Sequence, residues 1–217
     1  MHTLPNTPKN YYNANRKELT QLLPHKYSKV LEIGCAEGDF RANLTQNNEY
    51  WGVEPALSAA KIAEEKVSQV LVGTYDEVIE KIPNNYFDLV ICNDVIEHMS
   101  NHDAFLQSIK SKIVINGCLI ASIPNVRHVS NLFKILIQKD WQYQDSGILD
   151  RTHLRFFTEK SLKHTLVKND YFIEEFIGLN TFTHSSIFVR IISVLTALIL
   201  GQDIKYLQFG IRIRPNN

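Results

Sequence analysis

Five short apolar runs recur between Lys29 and Pro124, each followed by a stretch of helical character: Lys29–Gly34, Tyr50–Glu54, Gln69–Gly73, Phe87–Cys92 and Gly117–Ile123. Between them Asp39–Thr45, Ala56–Val67, Asp76–Lys81 and Asp103–Ser111 read as helices. Strands that alternate with helices form βαβ units, and these build a parallel sheet with helices on both faces. Right-handed crossovers then leave few topologies. Phe87–Cys92 is apolar almost throughout, as a strand buried on both faces must be.

The rhythm changes after Pro124. Val129–Gln138 reads as a helix, and Asp140–Arg155 as a long polar, aromatic loop. Thr158 suits the N-cap of a helix over Glu159–Lys168, with Asn169 expected to close it in the left-handed region. Tyr171–Ile177 and Gln208–Arg214 read as a sixth and a seventh strand, and Asn13–Leu23 as a leading helix stopped by Pro24.

Lys and Arg number 23 and Asp and Glu 23, so no dominant basic footprint exists and a nucleic-acid partner is not expected. A hydrophobic fraction of 44% excludes general disorder. Cys35, Cys92 and Cys118 cannot make a disulfide framework and form no CxxC, so no structural zinc site is expected. The N-terminus lacks the apolar run of a signal peptide, and a cytoplasmic location is the expectation. Ile187–Leu200 is apolar but shorter than the ~20 residues that span a bilayer. It reads as an extra helix on the domain, a homodimer interface or a peripheral membrane contact.

The stretch Val30–Asp39 carries the chemistry. A strand enters a tight turn with Gly34 and Gly38 four residues apart, where bare backbone admits a ligand at the strand ends. Glu54, at the end of the second strand, can accept hydrogen bonds from both hydroxyls of a ribose. A dinucleotide fingerprint would need a glycine at 36 and 39, where Ala36 and Asp39 stand, and no P-loop pattern occurs. Glu32 opposes a pyrophosphate and suits a cationic amino group. A ligand with a ribose, an ammonium group and no phosphate is S-adenosylmethionine.

At these residues the chain resembles the class I S-adenosylmethionine-dependent methyltransferases. Their acid-then-GxGxG motif is matched by Glu32, Gly34, Ala36 and Gly38, with Cys35 inside the turn. Their second-strand acid is matched by Glu54, followed by Pro55. Thr74 stands where many relatives carry an Asp toward the adenine. The resemblance over Phe87–His98 implies cofactor contacts from Asn93, Asp94 and Val95, with Glu97 and His98 near the acceptor. It implies a Rossmann-like α/β domain over residues 1–217, with a seven-stranded, mostly parallel sheet, helices on both faces and the last strand antiparallel. Residues 1–28 would form a lead-in, 125–160 a substrate-side insertion and 180–205 an apolar helical insertion.

A second likeness lies in Asp145–Thr158, similar to small bacterial methyltransferases of surface-polysaccharide assembly, whose lead-in Tyr11–Arg16 also resembles. This implies O-methylation of a sugar or another small glycan acceptor. A hydroxyl acceptor must lose a proton, for which His98, His153 and Asp150 are the candidate catalytic groups. Arg151 and Arg155 could bind a phosphate or carboxylate on the substrate. His98 and His102 lie one helical turn apart with Asp103 beside them, but no third ligand is evident, so no metal is expected. The alternatives are a non-catalytic cofactor-binding module of a glycan-assembly complex and an oxidoreductase of similar fold.

Overall fold

A computed structural model of the chain describes residues 15–44, 47–181 and 196–216. Seven strands form one sheet: β1 (Lys29–Ile33), β2 (Glu49–Glu54), β3 (Gln69–Val72), β4 (Phe87–Asn93), β5 (Ile113–Pro124), β6 (Tyr171–Leu179) and β7 (Gln208–Pro215). Their order is β3-β2-β1-β4-β5-β7-β6. The first five run parallel, and β7 lies antiparallel between β5 and β6. This is the Rossmann-like sheet expected from the strand–helix alternation, with the last strand reversed.

Alternation along the central strands separates two apolar layers. Leu31, Ile33, Val90 and Cys92 belong to one cluster, and Val30, Tyr50, Leu89 and Ile91 to the other. Both faces of β4 are therefore covered, which is why its sequence shows no polar alternation. The helices are α1 (Leu57–Ala63), α2 (Tyr75–Val78), α3 (His102–Ile109), α4 (Val129–Phe133) and α5 (Glu159–Lys168). α1 buries Ala59, Ala60 and Ala63, and these short side chains let its backbone approach the turn after β1 closely.

Several elements differ from their sequence reading. Within Asn13–Leu23, the described part is a 3-10 helix over Lys17–Leu22, and Asp39–Asn43 is also 3-10. β5 begins at Ile113, four residues before Gly117, because a bulge opposite Phe87/Leu89 lets Ile113 pair with Phe87. Val129–Gln138 starts as α-helix and continues as π-helix over Lys134–Gln138. Thr158 caps α5, its hydroxyl accepting from the Ser161 N–H at 3.1 Å. The left-handed residue after α5 is Asp170 (φ 57), not Asn169, whose side chain instead donates to the Thr165 carbonyl at 2.9 Å. The lead-in before residue 15 lies outside the described residues, as does most of Ile187–Leu200, of which only 196–200 is described, as helix. Among the described residues, no helix is long and apolar enough to cross a membrane.

Candidate active site

The loop after β1 is built by backbone. The N–H groups of Gly34 and Cys35 both donate to the Val53 carbonyl, at 2.8 and 3.1 Å, tying the turn to the end of β2. Gly34, Ala36 and Gly38 all take positive φ, at 71, 47 and 76°. A Cβ on Gly34 would fall 2.6 Å from Val95 Cγ2, so the absence of a side chain lets the segment after β4 settle onto the turn. Ala36 adopts the left-handed conformation that a glycine takes more cheaply. Cys35 is buried against Gly52, where a Cβ would fall 2.5 Å from its sulfur; burial raises its thiol pKa, so it is an inert packing residue.

Glu54 closes this loop from β2. Its carboxylate accepts the Ala36 N–H at 2.9 Å and the Ala56 N–H at 2.8 Å, one on each oxygen. It is 4% exposed, and burial raises its pKa. A carboxylate has about four lone-pair sites, so two remain for further donors. Pro55 beside it is exposed. Glu32 points into the layer containing Tyr50, whose hydroxyl donates to it at 2.6 Å, and Asn93 Nδ2 reaches it at 3.4 Å. Burial pushes the Glu32 carboxyl up to about 8, with the Tyr50 hydrogen bond opposing this and the Glu54 charge adding to it. Asn93 Oδ1 is buried and has no partner among the described residues. The glycine-bare turn, the half-used Glu54 carboxylate and the orphaned Asn93 oxygen together fit an adenosyl cofactor across the ends of β1, β2 and β4.

Beyond Asn93 the chain turns sharply, with Asp94 at φ 52. Asp94 accepts from the Ser122 hydroxyl at 2.9 Å and from Gln208 Nε2 at 2.7 Å, and pairs with Arg16 of the lead-in. Arg16 also donates to Gln208 Oε1 at 2.8 Å. Arg16, Ser122 and Gln208 were not legible as site residues, although Arg16 lies in the lead-in segment that carried a resemblance.

Glu97 and His98 follow in a 3-10 turn. The Glu97 carbonyl accepts the N–H groups of Leu154 and Arg155, at 2.9 and 3.0 Å, which brings the loop after α4 over this turn. His153 Nε2 thereby lies 3.9 Å from Glu97 Oε1, and the His98 and His153 rings stack edge to face at 4.7 Å. Burial lowers the pKa of both imidazoles, and for His98 the His153 charge adds to this. Burial pushes Glu97 up to about 8. The sequence candidates Glu97, His98 and His153 thus meet. Asp150 supports them one step back, its carboxylate accepting the Thr152 N–H at 2.8 Å and hydroxyl at 2.6 Å, while Thr152 contacts His98 at 3.1 Å.

Three other candidates make local contacts. The exposed Thr74 hydroxyl donates to Glu77 at 2.9 Å in the cap of α2. Arg151 pairs with Asp145 at 2.6 Å on the surface. Arg155 donates to the carbonyls of Leu154 and Ser100, at 2.8 and 2.6 Å. His102 lies 3.8 Å from Asp103 and outside the Glu97 cluster.

Fold and site together define a Rossmann-like methyltransferase. A family model described as a methyltransferase domain matches residues 9–175, so the chain belongs to that family. It is similar to a solved S-adenosylmethionine-dependent methyltransferase from Archaeoglobus fulgidus, with TM-score 0.65, 20% identity and 94% and 96% of the two chains covered. Another such enzyme, from Mesorhizobium loti, gives TM-score 0.61 at 12% identity, with 93% and 98% covered. Among curated proteins it is 26% identical over 157 residues to a ubiquinone biosynthesis O-methyltransferase of Rickettsia bellii, covering 70% of this chain and 64% of that protein. The mitochondrial protein of that name from Mus musculus is 25% identical over 164 residues, with 70% and 43% covered. The chain thus spans less than two thirds of the length of these relatives.

Proposed function

We propose that this chain is an S-adenosylmethionine-dependent O-methyltransferase whose acceptor is a phenolic hydroxyl. The observation that carries the reading is the meeting of Glu97 and His98, on the segment that Val95 seats against the cofactor turn, with His153 from the loop after α4. S-adenosylmethionine, when bound, supplies a methyl group on a positively charged sulfur. Glu54 accepts the ribose hydroxyls, and Glu32, ionised by a neighbouring ammonium, holds the methionine end. The turn at Gly34–Gly38 leaves room for both. The loop carrying His153 closes the acceptor side and excludes water.

His98 and His153 stay neutral at physiological pH because burial disfavours their charged forms. Either can take the acceptor proton. A phenol with a pKa of about 10 lies within reach of such a base. A sugar hydroxyl is a weaker acid than a phenol and demands more of such a base. The relatives' name, drawn from ubiquinone biosynthesis, supports an aromatic acceptor. The sugar acceptor expected from Asp145–Thr158 has no counterpart among these relatives.

The test is formation of S-adenosylhomocysteine with a panel of dihydroxybenzoates and nucleotide sugars. Turnover is expected with the phenols. Turnover with sugars alone would refute the acceptor class. Cofactor binding without turnover on either class would favour a non-catalytic module.

A further inference from the structure

Gln208 is buried at the start of β7, and its side chain leaves its own strand to meet three distant residues. Its Oε1 accepts from Arg16 Nη1 at 2.8 Å and from Asn180 Nδ2 at 2.9 Å, and its Nε2 donates to Asp94 Oδ1 at 2.7 Å. Two donors on one side and a carboxylate on the other allow this amide one orientation only, since a flip would set its NH2 against both donors. In the sheet Gln208 pairs with Pro124 of β5, while Asn93 pairs with Ser122 of the same strand. The amide therefore reaches across the end of β5 to the turn that follows β4.

That turn depends on its surroundings. Asp94 keeps φ 52, a left-handed conformation that a residue other than glycine retains only where its neighbours over-determine it. Its N–H donates to the carbonyl and to the hydroxyl oxygen of Ser122, both at 3.1 Å. Its carboxylate accepts from Ser122 and Gln208 on one oxygen and pairs with Arg16 on the other. With three of about four lone-pair sites taken, this carboxylate serves the turn rather than a ligand. The residues on either side of Asp94 carry what a cofactor would meet. Asn93 has a buried oxygen without a partner among the described residues, and Val95 is seated on Gly34. Glu54 at the end of β2 marks the ribose side, so Asn93, whose Nδ2 reaches Glu32 at 3.4 Å, stands on the methionine side.

We propose that Gln208 is a positioning residue for the methionine end of S-adenosylmethionine. It touches no ligand itself. It locks the Asp94 turn, and with it Asn93 and Val95, in the conformation that receives the amino-acid part. This rests on the methyltransferase reading of the site. Removing the amide frees Arg16 from one of its anchors and leaves Asp94 short of a donor, so the turn relaxes from the left-handed region and carries Asn93 with it. The ribose side is held by other bonds, from the Gly34 N–H to the Val53 carbonyl and from the Ala36 N–H to Glu54, and does not depend on Gln208.

The test compares two nucleosides on the full chain by calorimetric titration: S-adenosylhomocysteine, and 5′-methylthioadenosine, which shares the adenosine and the thioether but lacks the amino-acid end. Gln208→Leu, similar in size but unable to hydrogen-bond, should weaken S-adenosylhomocysteine about tenfold, the worth of one hydrogen bond, and leave methylthioadenosine within about twofold. A merely structural role would weaken both alike, so equal losses overturn the proposal, as does unchanged binding of both. Gln208→Glu supplies a second measurement should the leucine variant fail to fold. It keeps the acceptor for Arg16 and Asn180 but sets a carboxylate against Asp94, and two carboxylates so close take up a proton between them. Its loss of S-adenosylhomocysteine affinity, relative to wild type at each pH, should shrink as pH falls from about 8 to about 6; a loss independent of pH overturns the assignment. A wild-type chain that binds neither nucleoside overturns the cofactor reading itself. One that binds S-adenosylhomocysteine, with Gln208→Leu behaving as wild type, overturns the role of Gln208 alone.

Discussion

Replacing Glu54 by Gln changes one atom at the end of β2, in the side chain proposed to hold the ribose. Each carboxylate oxygen now accepts one backbone N–H, from Ala36 and from Ala56, at 2.9 and 2.8 Å. An amide has a single oxygen, so one of these N–H groups would face an NH2. A buried donor left unmatched costs about 1–3 kcal/mol, which in a chain of this size lowers the unfolding midpoint by roughly 2–10 °C. The cofactor suffers separately. On the proposed ribose contact, its two hydroxyls would lose one acceptor and exchange a charged partner for a neutral one, at a cost of about 2–4 kcal/mol. Affinity for S-adenosylhomocysteine should therefore fall about 30- to 1,000-fold. Calorimetric titration measures this directly. Glu49→Gln, at the opposite end of β2, makes the same change in charge and should leave affinity unaltered. A folded Glu54→Gln chain that binds within threefold of wild type would refute the ribose assignment, even if its melting temperature had dropped as expected.

Other substitutions probe the rest of the site. Ala36→Gly relieves a left-handed alanine, φ 47, at a cost in chain entropy, and should raise stability by up to about 1 kcal/mol in denaturant unfolding; a loss of stability would contradict the strain argument. The Glu32 carboxyl, ordinarily near 4.5, is pushed up to about 8 in the folded chain. The folded state thus holds an extra proton between those values. Stability should fall as pH rises from about 4.5 to 8, by at most about 1.4 kcal/mol per pH unit from this group. Glu32→Gln should flatten that slope, and an unchanged slope would remove Glu32 as its source. If the cofactor's ammonium ionises Glu32, binding at pH 7 releases a proton, and calorimetry in buffers of different ionisation enthalpy should give different apparent heats. His98→Ala and His153→Ala should lower kcat, with a loss of about 100-fold or more at whichever ring is the base. Because both pKa values are lowered, the acid limb of the rate profile should fall below pH 6.5. Undiminished rates in both variants would remove these rings from the reaction.

What the sequence reveals here is what lies close along the chain. The β1 run, its two glycines and the acid ending β2 could be read directly, because each sits at the boundary of a strand with a recognisable pattern. Thr158 was legible as a cap for the same reason. What depended on distant segments was hidden. Nothing near Glu97 announces that its carbonyl will hold Leu154 and Arg155 and so bring His153 alongside. The pairing of His98 with His102 by helical spacing proved misleading, since a 3-10 turn ends at His98 and α3 starts afresh at His102. The Tyr50–Glu32 hydrogen bond needs the parallel register that sets Glu32 opposite Gly52. Arg16 and Gln208 reach Asp94 from opposite ends of the chain. The early start of β5 followed from a bulge, which leaves no local signal.

A crystal soaked with S-adenosylhomocysteine would bear on the whole account at once. We expect its adenosine to lie above the first turn with both ribose oxygens within 3.2 Å of the Glu54 carboxylate, and its sulfur to face the side on which His98 and His153 stand. Nucleoside density away from the strand ends, or a Glu54 carboxylate that touches only protein backbone, would contradict it.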